Sequence, residues 1–306
     1  MRIAAVTLVL CCLLILGPLA HISSEVAAGD VPPVEVWVLD RSGSFNTTLR
    51  STAFDAGEYR WVASIPGPPS TAERLREFPE SSVWGVYLAE LPSLEQVSAL
   101  VDRLRPLKPR GILLPFLEKG EWLTPEVLAA LLSLPDIEHV HIYFQRQEVP
   151  DWVLEQLSGL GALSSLYLDN CTRISVGAFR KLCEKRCTTL EALLLGTTAI
   201  PISELIPLKS LKRLTIDGDP RSTFALTGIG KLQSLESLQL RRGMIAGDGY
   251  AEVLALKGLH KLHLAWGADG AVPQDVIKGL AGLPAVRGGY MPVSGRRGAT
   301  GLAAMA

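Results

Sequence analysis

The chain has 306 residues, with 30 basic and 31 acidic side chains and a formal net charge of −1. That balance offers no global basic field for a nucleic acid and excludes a polyanionic or polycationic tail protein. Apolar residues at 48% and charged residues at 20% exclude a mostly disordered chain, and five cysteines are too few for a disulfide-dense miniprotein.

The N-terminus comes first in chain order. Arg2 is followed by an uncharged apolar run, residues 3–19, that ends near Gly17-Pro18. Val26-Ala27-Ala28 puts small residues before Gly29. Residues 1–28 therefore read as a secretory signal peptide, with an uncleaved membrane anchor through residues 3–19 as the alternative. Cys11 follows Leu10, which is not the small residue that a lipoprotein signal wants. The expected location is secreted, periplasmic or cell-surface. Residues 29–82 are expected to form an N-terminal cap. Val34 to Val38 and Tyr59 to Ile65 alternate like strands, and Pro66-Gly67-Pro68-Pro69 breaks the chain.

From residue 83 onward the chain repeats itself. Leucine makes up roughly one residue in six, above ordinary usage. The phrase apolar-x-x-apolar-x-apolar starts at Val83, Pro109, Ile137, Leu163, Leu190, Leu211, Leu235 and Leu259, and a frayed ninth copy starts at Leu283. Successive starts lie roughly 21 to 28 residues apart, a period typical of stacked repeats. Helical signals fall between the phrases. Ser93 with Gln96 spells a capping box ahead of Val97, Leu100, Val101 and Leu104. Thr124-Pro125 puts a cap residue before a proline at the first helical position, ahead of Val127, Leu128, Leu131 and Leu132. Asp151 and Ser175 are placed as caps in the same way. Each unit is expected to run strand, turn, helix, turn.

These units resemble leucine-rich repeats. Leu163 to Leu190 is similar to the cysteine-containing subtype, with Leu166, Leu168, Cys171, Ile174, Gly177, Phe179, Leu182 and Cys187 at its pattern positions. Thr198, Asp219 and Gly243 stand where that pattern wants Cys or Asn. The resemblance implies an α/β leucine-rich-repeat solenoid over residues 83–290, curved, with parallel strands on the concave face and helices on the convex face. It also implies that Cys171 and Cys187 are buried packing residues. A single unit cannot bury its own apolar side, so neighbours must share one core. Residues 291–306, rich in Gly, Ala and Arg, are expected to be a flexible tail.

Catalytic signatures are scarce. Leu226 to Lys231 imitates a phosphate loop but has Ala225 where the first glycine belongs and Leu232 where Ser or Thr belongs. His139 and His141 lie two apart on an expected strand and share a face. With Asp169 they are either the start of a metal site or two exposed imidazoles on a binding surface. Asn170-Cys171-Thr172 matches a glycan acceptor, but its place beside the sheet marks Asn170 as a packing or turn residue. No cofactor is expected.

The outward columns of the strands are more informative. In these columns the early repeats gather Tyr87, Phe116, His141, Tyr143, Phe144 and Tyr167, and the late repeats gather Arg213, Arg241, Arg242, Lys261, His263 and Trp266. Aromatic residues and arginine are enriched at interface hot spots. The expected function is non-catalytic recognition of a protein, or of a glycan, through these residues, with no nucleic acid involved. A structural envelope or matrix role is the alternative, and a metal-dependent enzyme using His139, His141 and Asp169 a further one.

Overall fold

A computed structural model describes residues 34–39, 59–64, 83–88, 93–114, 123–197, 199–218, 223–241, 244–245, 249–264 and 289–290. All of these fall within one compact unit, Val31–Ala306. The expectations for residues 1–28, for Phe116, Arg242 and Trp266, for Thr198, Asp219 and Gly243, and for the tail lie outside the described residues.

In chain order the strands begin with β1 (Val34–Leu39), β2 (Tyr59–Ser64), β3 (Val83–Leu88), β4 (Gly111–Leu114), β5 (His139–Tyr143) and the short β6 (Glu148–Val149). They continue with β7 (Ser165–Asp169), β8 (Arg173–Ile174), β9 (Ala192–Leu195), β10 (Arg213–Asp217) and β11 (Thr223–Phe224). The last are β12 (Ser237–Arg241), β13 (Met244–Ile245), β14 (Lys261–Leu264) and β15 (Gly289–Tyr290). Among the described residues one sheet runs in the order β15-β14-β12-β10-β9-β7-β5-β4-β3-β1-β2. From β3 to β15 every pairing is parallel, while β1 and β2 extend the sheet as an antiparallel hairpin. The short strands pair beside the main sheet, β6 with β8 and β11 with β13. This is the α/β leucine-rich-repeat architecture.

The register keeps the repeat phrase in step. Val86, Ile112, Val140, Leu166, Leu193, Leu214, Leu238 and Leu262 stand in one row across the parallel strands. All eight are buried, so the fourth position of each phrase points into one continuous core. Burying such a side chain contributes roughly 1.5–3 kcal/mol. The ninth copy is out of phase with its expected start. Gly289 pairs with Leu262, three residues later than a start at Leu283 would place it.

Ahead of β5, β7, β9, β10, β12 and β14, one carbonyl of the preceding repeat binds two successive amides. The Arg110 carbonyl accepts from Glu138 and His139 at 2.8 and 3.0 Å, and those of Glu138, Ser164, Glu191, Lys212 and Glu236 do likewise for the repeats that follow. Each such bond adds about 0.5–1.5 kcal/mol net. Side chains at the same level pair across repeats, Arg110 with Glu138 and Lys212 with Glu191.

The helices are α1 (Leu94–Leu104), α2 (Pro125–Leu132), α3 (Asp151–Leu157), α4 (Val176–Lys185) and α5 (Gly249–Leu254). The Ser93–Gln96 capping box forms, and Val97, Leu100, Val101 and Leu104 are buried beneath it. Thr124 accepts from the Val127 amide and Ser175 from the Ala178 amide. Two expectations need correction. Asp151 is the first helical residue rather than the cap, because Pro150 occupies the cap position in extended backbone. Among the described residues, the units beginning at Leu190 and Leu211 carry 3₁₀ turns, Ile202–Leu205 and Ile229–Lys231, in place of α-helices. The first of them is the shortest repeat, and a tighter turn spans the gap with fewer residues.

Candidate recognition surface

Side chains alternate across a strand, so the fifth and seventh positions of each phrase face away from the helices. The fifth-position row reads Tyr87, Leu113, His141, Tyr167, Leu194, Thr215, Gln239 and His263. In the seventh-position row Tyr143 stands opposite Asp169, and Asp217 opposite Arg241. Tyr87 occupies its expected register position; its side chain is not among those described.

Two clusters result. On β5 and β7, His141 and Tyr167 meet edge to face, with ring centroids 5.6 Å apart and planes at 81°. Tyr143, at the end of β5, accepts a 2.7 Å hydrogen bond from the Asn170 side-chain amide. Both tyrosines are half-buried, so each keeps a face for a partner. On β10, β12 and β14, Arg213 and Lys261 flank Ser237 in one row. Arg241 donates to the Gln239 side chain at 2.9 Å. All three cations are half-buried. Strand β9, with buried Ala192 and Leu194, separates the clusters. Tyr143 and Arg241 lie four strand spacings apart, about 19 Å at the usual separation.

Phe144 does not belong to this surface. It is 1% exposed and part of the core. It occupies the eighth phrase position, and counting by twos from the inward fourth and sixth places it inward as well. His139 and His141 depart from both sequence readings. They are 5% and 6% exposed, so they are not exposed imidazoles. His141 Nε2 lies 3.7 Å from Asp169 Oδ2, and His139 Nε2 lies 3.9 Å from Glu138 Oε2. Among the described residues, no group of three His, Cys, Asp or Glu side chains is arranged to hold a metal ion. His141 thus underlies the aromatic cluster and presents little area of its own. His260 is exposed and His263 half-buried.

The thiols also divide differently from the subtype pattern. Cys171 and Cys183 are buried, whereas Cys187 is half-buried. Position 183 sits on the core face of α4 one turn after Phe179, and Cys187 falls beyond the helix end. Burial pushes the Cys171 thiol up to about 12 and raises that of Cys183 as well. Both remain protonated, inert packing groups.

Sequence reasoning missed the turn that leaves β5. Gln145 and Arg146 both have left-handed backbone, with φ of 46° and 63°. The Gln147 amide donates to the Phe144 carbonyl at 2.9 Å, which closes the mirror-image turn. Such turns ordinarily carry Asn-Gly, so Gln-Arg gave no signal. The left-handed region costs about 1–2 kcal/mol for each such residue. Asn170, at the same level on the next repeat, is left-handed too, with φ of 48°. Its side-chain amide is engaged with Tyr143, in keeping with a turn residue.

No family model matches the chain, and no curated protein matches it. Solved structures do. An internalin C2 from Listeria monocytogenes is 18% identical over 62% of this chain and 74% of its own, with a TM-score of 0.42. A leucine-rich-repeat protein of Leptospira interrogans is 16% identical over 62% of this chain and 50% of its own, with a TM-score of 0.40. A chain in the Toll–Spätzle complex of Drosophila is 12% identical over 60% of this chain and 30% of its own, with a TM-score of 0.42. The architecture of the present chain stands on its own register and burial. Among the described residues no helix is long and apolar enough to cross a membrane.

Proposed function

We propose that this protein recognises another protein, or a glycan, on the sheet face opposite the helices, without catalysing a reaction, and that it acts outside the cytoplasm. The observation that carries the reading is the division of that face. Tyr143 and Tyr167 lie over β5 and β7, and Arg213, Arg241 and Lys261 lie over β10, β12 and β14. Partly exposed aromatic rings supply anchor area at low entropic cost, and a cationic patch orients an acidic partner. Tyr87, Arg242 and Trp266 extend the same surface in this reading. The location rests on the apolar run of residues 3–19.

The test is affinity capture from native extracts with the parent protein and with a Tyr143→Ala, Arg213→Glu variant, both checked for equal thermal unfolding. Specific partners held by the parent and lost by the variant support the proposal. Identical captures sink it, because each change removes one side of the surface.

A further inference from the structure

The turn after β5 is held by more bonds than a connecting loop needs. Its own closure runs from the Gln147 amide to the Phe144 carbonyl at 2.9 Å. The Arg146 amide donates to the Asn170 carbonyl at 2.6 Å, and the Thr172 amide to the Gln147 carbonyl at 2.9 Å. Phe144, fully buried, fixes the turn from beneath. Asn170 joins the turn to the aromatic cluster, since its side chain donates to Tyr143. Strained backbone persists only where its surroundings over-determine it, and it gathers at binding and catalytic sites.

What this framework holds out is the exposed Arg146 side chain. Its neighbour Arg173 pairs with Glu148 at 3.4 Å, and Arg180 pairs with Glu204 in the following repeats. Arg146 makes no ion pair among the described residues. An exposed arginine whose backbone is fixed, and whose guanidinium meets no carboxylate among the described residues, suits a bidentate bond to one brought by a partner. We infer that Arg146 is the anchor for an acidic peptide segment, which it grips by a side-chain carboxylate at the rim of the surface beside Tyr143. The inference rests on the recognition reading above and names the chemistry of its partner.

The probe is a fluorescein-labelled hexaglutamate peptide, with hexalysine as its counterpart, followed by fluorescence anisotropy at low salt. The parent is expected to bind hexaglutamate, and added salt to weaken it. Arg146→Gly is expected to weaken binding at least tenfold while raising the midpoint of thermal unfolding, because glycine accepts the left-handed backbone. Arg146→Lys keeps the charge but loses the fork, and an intermediate affinity is expected. Unchanged binding in Arg146→Gly overturns the inference, as does binding of hexaglutamate no tighter than hexalysine. So does a loss that Arg213→Glu reproduces and Arg146→Gly does not. The two proposals fail separately. A natural partner lost with Tyr143→Ala but retained with Arg146→Gly leaves the recognition surface standing without its acidic anchor. Hexaglutamate binding that needs Arg146, with captures from extract unaffected by the double variant, keeps the anchor and discards the surface.

Discussion

A Cβ atom on Gly196 would lie 2.3 Å from the backbone nitrogen of Asn170. It would also lie 2.8 Å from the Cys171 nitrogen, so the obstruction is main chain on two residues of the preceding repeat. The Gly196 amide meanwhile donates to the Leu168 carbonyl at 2.7 Å. Backbone approaches backbone here because only glycine leaves the room. Gly196→Ala must push two repeats apart at the level where Asn170 holds Tyr143. Overpacking of this kind costs about 1–3 kcal/mol, with the upper end expected because no flexible side chain can yield. Urea unfolding of the purified variant measures the loss, and an unchanged midpoint would show that the repeats separate freely.

The turn at Gln145 should respond in the opposite direction. Gln145→Gly removes a left-handed penalty of about 1–2 kcal/mol and adds back about 0.5–1 kcal/mol of unfolded-chain entropy. A net gain of about 0.5–1 kcal/mol is expected in the same urea experiment. Arg146 stays in place in this variant, so its affinity for hexaglutamate should hold while stability rises.

How much of this was legible in the sequence follows from the kind of force involved. The fourth-position row from Val86 to Leu262 was readable because burial of apolar side chains imposes a period that composition displays. Caps at Ser93 and Thr124 were readable because the side chain that makes the bond is the signal. Phe144 was misplaced because an aromatic residue looks the same inside and outside, and only the count along the strand separates the two. The burial of His139 and His141 depends on tertiary surroundings and leaves no mark in the residues themselves. The Gln145–Arg146 turn is imposed by hydrogen bonds from a repeat 25 residues away, against the preference of its own sequence.

The placement of Phe144 makes a sharp contrast with its neighbour. Phe144→Ala should empty a core site and cost about 3–5 kcal/mol, while Tyr143→Ala, half-exposed, should cost far less. Thermal unfolding of the two variants checks the ordering. Equal losses would mean that the two side chains of this strand end share one environment.

An ion pair across repeats gives a pH dependence with a defined sign. Arg180 Nε and Nη2 donate to the two Glu204 carboxylate oxygens at 2.7 and 2.8 Å. The Arg180 hydrogen bond holds the Glu204 carboxyl below its ordinary value of 4.5. A lowered acid in the folded state stabilises above the unfolded value and loses that contribution as pH falls through the folded one. Glu204→Gln should therefore unfold at lower temperature than the parent at pH 7, and the gap should close below pH 4.5. A gap that does not narrow at all as pH falls below 4.5 would assign the effect to packing rather than to charge.

The buried thiols act at the other end of the pH range. Cys171 and Cys183 are raised by desolvation, Cys171 to about 12 from an ordinary 9.0. The unfolded chain sheds these protons near pH 9.0 while the folded chain keeps them, so stability declines as pH climbs from there toward 12. The same burial governs reactivity, since the thiolate is the nucleophile and lies out of reach at neutral pH. Iodoacetamide at pH 8 should label the peptide carrying Cys187 in the native protein and leave Cys171 and Cys183 unmodified until urea unfolds the chain. Mass mapping after proteolysis reads each site by itself. Rapid native labelling at Cys183 would mean that α4 opens from the core on the timescale of the reaction.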